Sequence, residues 1–163
     1  MLSRTDHEIS AKRKSVAGSN EKLFSSYFTG KFGENALNKP LTFKDTNNNV
    51  SISVDNSINK QNKNVLIEID SGNMAKLLVG QYVLLNELCD NKSETVFLVI
   101  HYYKDRHGNE YNPQRTELNL SLVNNNIYEG KGLKYKVFNK SGFENFCDGI
   151  SDLNKLIDEL FSK

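Results

Sequence analysis

The chain has no tryptophan, only two cysteines and almost no net charge, and each shortage excludes something. Cys89 and Cys147 lie far apart and lack metal-ligand spacing, so both read as free buried thiols. The 21 basic and 20 acidic residues leave a formal charge of +1. No global field therefore draws the protein to nucleic acid, and any basic footprint must be local. No apolar run approaches the ~18 residues of a membrane span, and the opening residues do not read as a signal peptide. A soluble cytoplasmic protein with no membrane partner is expected. A phosphate-cradling glycine loop is missing, since Gly130-Lys131-Gly132 is too short. No serine or cysteine has the neighbourhood of a nucleophile elbow. His101 sits in an apolar run and His107 in a polar one, with no cysteine at matching spacing, which argues against a zinc pair.

What is present suits one globular domain. The 163 residues are enough for a real core, and nine Phe and seven Tyr supply bulk. A hydrophobic content of 37% is polar but short of disorder. Residues 1–19 form a polar arm carrying Lys12, Arg13 and Lys14, either a solvated cluster or a phosphate-contacting segment. Residues 20–163 read as the domain.

Leu23, Phe24, Tyr27, Phe28 and Phe32 make an apolar stripe that predicts a helix from Asn20, capped by Ser19 or Asn20 and stopped at Gly33. "LTFK" (41–44) and "VSISV" (50–54) predict strands around the turn "TNNN". "NKQNKN" (59–64) reads as a polar loop leading to the strand "VLIEID" (65–70), so the three strands suggest an antiparallel meander. A helix follows with Met74, Leu77, Leu78, Gln81, Leu84, Leu85 and Leu88 on one face. "TVFLVIHYY" (95–103) predicts a buried strand reached by a parallel crossover. "ELNLSLV" (117–123) and "LKYKVF" (133–138) predict further strands, and "GISDLNKLIDELF" (149–161) a helix capped by Ser151. The expected fold is therefore α+β or α/β, with a mixed central sheet of α-β-β-β-α-β core order flanked by helices.

Three acids stand at informative places. Asp55 closes one strand, while Glu68 and Asp70 lie two apart near the end of the next and share a face. Like charges that close repel unless something positive sits between them. Mg²⁺ or Mn²⁺ would answer the repulsion, because hard divalent cations take oxygen ligands. Each acid also has an ordinary reading: Asp55 as a turn residue, Glu68 and Asp70 as a solvated face, Glu21 as a first-turn acid favoured by the helix dipole.

The element order and the string "IEIDSGN…GQY" resemble the PD-(D/E)xK, or restriction-endonuclease-like, nuclease superfamily over roughly residues 20–103. Asp55 matches the family's first acid, Glu68 its Glu, and Glu21 a supporting Glu of the first helix. Gln81 and Tyr82 sit where the following helix carries such residues. Asp70 stands where the family's lysine is usual. The resemblance implies a metal-dependent nuclease hydrolysing DNA phosphodiesters in defence, repair or mobile-element biology. Asp55, Glu68 and Asp70 would be metal ligands, and Asp70 or Lys76 would take the lysine's part; Lys76 also reads as an ordinary exposed helix lysine. Arg106 and Arg115, within an aromatic and basic stretch, are further candidates for nucleic-acid contact, and a homodimer would supply more surface. A nuclease fold without catalysis, acting as a binding module, and an unrelated α+β interaction module are the alternatives.

Overall fold

In the computed structural model, residues 18–162 are described. Lys12, Arg13 and Lys14 lie outside them. Helix α1 (Ser19–Phe32) opens the fold and buries Phe24 and Phe28. Its N-cap is Gly18 in a left-handed conformation, with no side-chain cap from Ser19 or Asn20; Gly33 ends it. Leu23 points to solvent, so the buried stripe is narrower than its pattern.

Strands β1 (Leu41–Asp45) and β2 (Val50–Val54) form a two-stranded antiparallel sheet. Asp45 organises their turn by accepting the Asn47 and Asn48 backbone N–H groups at 3.0 and 3.2 Å. Residues 59–64 are not a loop. They end β3 (Asn56–Lys60) and begin β4 (Lys63–Asp70), joined by Gln61 and Asn62, both at positive φ. Two such residues make the turn that matches strand twist in a tight hairpin. The sequence hid β3 because Ile58 is its only large apolar residue.

Helix α2 (Ala75–Leu88) then crosses to β5 (Thr95–His101), which lies parallel to β4. The buried face of α2 comprises Ala75, Leu78, Tyr82, Leu85 and Asn86, while Met74 and Leu77 are exposed. The face is turned from its leucine pattern because Tyr82 and Asn86 have polar partners inside. Tyr82 Oη donates to the Leu133 carbonyl at 2.6 Å, and Asn86 Oδ1 accepts the Leu133 N–H at 2.7 Å.

Residues 117–123 are helical, not extended. They belong to α3 (Gln114–Ile127), which buries Thr116 and Leu120. Asn112 Oδ1 accepts the Gln114 N–H at its start, and Leu118 and Leu122, which made the alternation, stay exposed. Strand β6 (Lys134–Asn139) pairs parallel with β5. Helix α4 (Lys140–Asp148) follows, capped by Asn139 Oδ1 on the Gly142 N–H. Helix α5 (Leu153–Phe161) is capped by Asp152 rather than Ser151, whose hydroxyl donates to the Asp152 carboxylate.

The main sheet has the order β3-β4-β5-β6, antiparallel at its first pair and parallel thereafter. This is the expected mixed sheet flanked by helices, in one α+β domain. The meander is split, since β1 and β2 leave it for their own sheet. One core packs Val65, Ile67, Ile69, Val96, Leu98 and Ile100 against α1, α4 and α5. The other packs Leu66, Phe97 and Val99 against α2, α3 and the β1–β2 sheet. Cys89 and Cys147 are buried free thiols. Among the described residues no helix is long and apolar enough to cross a membrane.

The approach to β6 is the tightest point. A Cβ added at Gly132 would lie 2.5 Å from Asn124 Oδ1, 2.9 Å from Tyr82 Oη and 3.0 Å from Asn86 Oδ1. Gly132→Ala should therefore displace buried hydrogen-bonding groups and lower stability by about 2 kcal/mol, read from the denaturant midpoint.

Candidate functional site

The three parallel strands end level with one another. Asp70, His101 and Asn139 occupy one row across β4, β5 and β6. Carboxyl ends of parallel strands are where α/β sheets place their ligands. The start of α1 is fastened to the same end by Asn20, whose amide donates to Ser71 Oγ at 3.0 Å.

The β3–β4 hairpin carries the acids there. Asn56 pairs with Ile67, so Asp55, the residue just before β3, lies at the end of the hairpin where Glu68 follows Ile67. Asp55 Oδ2 accepts the Ile69 N–H at 2.8 Å, which anchors its carboxylate on β4. Burial pushes the Asp55 carboxyl above its usual range; the Ile69 N–H offsets part of this, and the Glu21 charge adds to it. Glu68 is pushed up to about 7, by burial first and by the Asp55 charge second. The Gln81 amide and the Asp55 backbone N–H pull it back, and the Asp70 charge adds a further push. Gln81 also donates to the Ser53 carbonyl at 3.0 Å, which ties α2 to β2 beside the acid. Glu21, Asp55, Glu68 and Gln81 thus share one electrostatic neighbourhood. Glu21 Oε2 and Glu68 Oε2 are both buried and, among the described residues, without a hydrogen-bond partner.

Asp70 has a different setting. Its Oδ2 faces His101 Nδ1 at 2.7 Å, and its Oδ1 accepts the Gly72 N–H at 3.3 Å. The other ring nitrogen, Nε2, lies 2.9 Å from Thr116 Oγ1 of α3. His101 and Thr116 are fully buried. The Tyr111 ring covers the imidazole at a centroid distance of 4.3 Å, and its hydroxyl is a third buried polar atom without a partner. The sequence reading missed this chain of three. Two polar residues ending adjacent apolar strands, "IEID" and "FLVIH", were the available signal; Thr116 had none while the residues after it, 117–123, read as a strand.

Lys76 and Arg115 are exposed and line one shallow groove between the N-terminal ends of α2 and α3, with Asn73, Met74 and Leu77. Neither has a carboxylate partner within 4.0 Å among the described residues. Arg106 stands in the exposed turn after β5, where its Nε donates to the His107 ring at 3.1 Å. Asp105 holds that turn by accepting the His107 and Asn109 N–H groups. Tyr82, matched in the sequence to a site-bearing helix position, is a core residue.

The cluster suits a hard cation in its donor chemistry. Two orphaned carboxylate oxygens in a partly dry place call for a proton or a positive ion. Among the described residues no three His, Cys, Asp or Glu side chains form a ready metal-holding group. A pair is the relevant unit for Mg²⁺, which commonly takes one or two carboxylates and completes its shell with water and substrate phosphate. Asp55 and Glu68, neighbours at this end of the hairpin, are the two carboxylates such an ion would use. Comparison with family models, with curated proteins and with solved structures finds no match.

The raised Glu68 carboxyl has a pH signature. Its folded value of about 7 exceeds the ordinary 4.5, so the folded state holds a proton that the unfolded state has released. Stability must then fall as pH rises from about 4.5 through about 7, by about 3 kcal/mol in full, and level off above. Glu68→Gln should remove this part of the slope, as read from urea melts of both proteins across that window.

Proposed function

We propose that this protein is a metal-dependent nuclease of the PD-(D/E)xK type, hydrolysing DNA phosphodiesters with Mg²⁺ or Mn²⁺. The observation carrying this reading is the Asp55 carboxylate held on β4 by the Ile69 N–H, next to Glu68, with Glu21 and Gln81 in the same neighbourhood and a buried carboxylate oxygen on each of Glu21 and Glu68 that has no partner among the described residues. Asp55 and Glu68 would hold the ion, and Asp70 lies on the same face of β4 as Glu68. A bound Mg²⁺ supplies positive charge to a phosphate and lowers the pKa of a water.

The chain's own groups do the rest. The Ile69 N–H orients Asp55, and the Gln81 amide stands beside Glu68. Lys76 and Arg115, without acid partners among the described residues, would offer charge to phosphates entering along their groove. Lys12, Arg13, Lys14 and Arg106 remain candidates for outer backbone contacts. A homodimer would double this footprint.

A second reading has one observation in its favour. Asp70 occupies the place where the superfamily has lysine, and both its oxygens are engaged inside the protein. The protein would then keep the fold and the ion without cutting, as a binding module.

Plasmid nicking in Mg²⁺ or Mn²⁺, run beside thermal melts, separates the two. The nuclease reading expects metal-dependent nicking that falls about 100-fold or more in Glu68→Ala and Asp55→Asn. Metal stabilisation without nicking by the wild type selects the binding module. No response to either ion removes both.

A further inference from the structure

We propose that His101 is a positioning residue for the acid site, fixing the Asp70 carboxylate on the face of β4 that carries Glu68 while Thr116 of α3 holds the imidazole. The proposal rests on the reading of Asp55 and Glu68 as a cation pair.

Three observations lead to it. The first is cost. A carboxylate, an imidazole and a hydroxyl are buried together, Asp70 at 6% exposure and the other two at 0%. Well-packed apolar residues commonly serve stability as well as such a group does. Stability alone therefore gives no reason for the polar set. The second is completeness. Nδ1 of His101 shares a hydrogen bond with Asp70 Oδ2, and Nε2 shares one with the Thr116 hydroxyl, which can donate or accept as the ring requires. Both ring nitrogens are used, and Tyr111 stacks over the ring. The imidazole has no freedom left, and neither does the carboxylate it grips. The third is direction. Asp70 and Glu68 share a face of β4, and the charge of Asp70 is felt at Glu68.

An acid, a histidine and a hydroxyl in line invite comparison with a nucleophilic triad. Burial rules that out here, because a hydroxyl with no exposed surface cannot meet a substrate. What the chain can do is fix a negative charge beside a cation. Groups in that role tune metal affinity by about 10- to 100-fold when removed.

Two isosteric amides dissect the imidazole. In His101→Asn the amide nitrogen falls near the Nδ1 position and keeps the bond to Asp70. In His101→Gln it falls near the Nε2 position, facing Thr116, and leaves Asp70 loose. Mn²⁺ affinity of the full chain, measured by titration calorimetry, is the readout. The expected result is an affinity within about threefold of wild type for His101→Asn and a loss of about tenfold or more for His101→Gln. Thr116→Val should also weaken Mn²⁺ binding, and Thr116→Ser should restore it. Cooperative thermal melts show which variants are folded, and the Thr116 pair decides if either His101 variant is not.

Equal Mn²⁺ affinity in wild type, His101→Gln and Thr116→Val overturns the positioning role while leaving the cation pair in place. So does an equal loss in both His101 variants. A wild-type protein that binds no Mn²⁺ overturns the cation pair itself, and the positioning role with it.

Discussion

Everything in this fold answers to the burial of β5. From Thr95 to His101 every residue is inaccessible, so both faces of the strand need a covering layer. The two cores provide it, α1, α4 and α5 on one side and α2, α3 and the small sheet on the other. A strand so enclosed accepts a polar side chain only with its partner supplied. Thr95 meets this rule by donating to the Asn91 carbonyl at 2.6 Å, and His101 by its two neighbours. Chemistry is thereby displaced to the strand ends, where loops and helix starts supply partners and solvent begins.

The acids strain against the same rule. Glu68 and Asp55 are placed where burial raises both, and the protein offers them one side-chain amide and two backbone N–H groups rather than a cation of its own. A fold selected for stability alone would have no use for unpartnered carboxylate oxygens at Glu21 and Glu68. Local inconsistencies of this kind concentrate where a protein does its work. Asp55 directly precedes β3, and the Ile69 N–H holds its carboxylate on β4 beside Glu68.

Much of this arrangement could be read from residue order, and the exceptions have physical causes. The alternation in "VSISV" and the apolar run in "TVFLVIH" are backbone patterns that tertiary context did not override. "ELNLSLV" misled because period two also populates every fourth position, and Thr116, Leu120 and Val123 make a usable helical stripe. "NSINK" was invisible because a strand held by a tight turn and a strong partner needs little hydrophobicity of its own. The acids were findable one by one, since their spacing along β4 and their place at strand ends follow from sequence. The grip of His101 on Asp70 was not, because it depends on the parallel register of β4 and β5 and on α3 being a helix.

Asp55 is the single residue between β2 and β3. The small sheet therefore has no slack linker. If β1 and β2 were to open as a unit, the first residue to move would be the one whose carboxylate holds the Ile69 amide. Local opening of that sheet and integrity of the acid pair are one equilibrium seen from two places. The Ile69 N–H, set inside β4 yet protected partly by a side chain, is a built-in hydrogen-exchange probe of that equilibrium. Its protection reports the state of the site without any reference to catalysis.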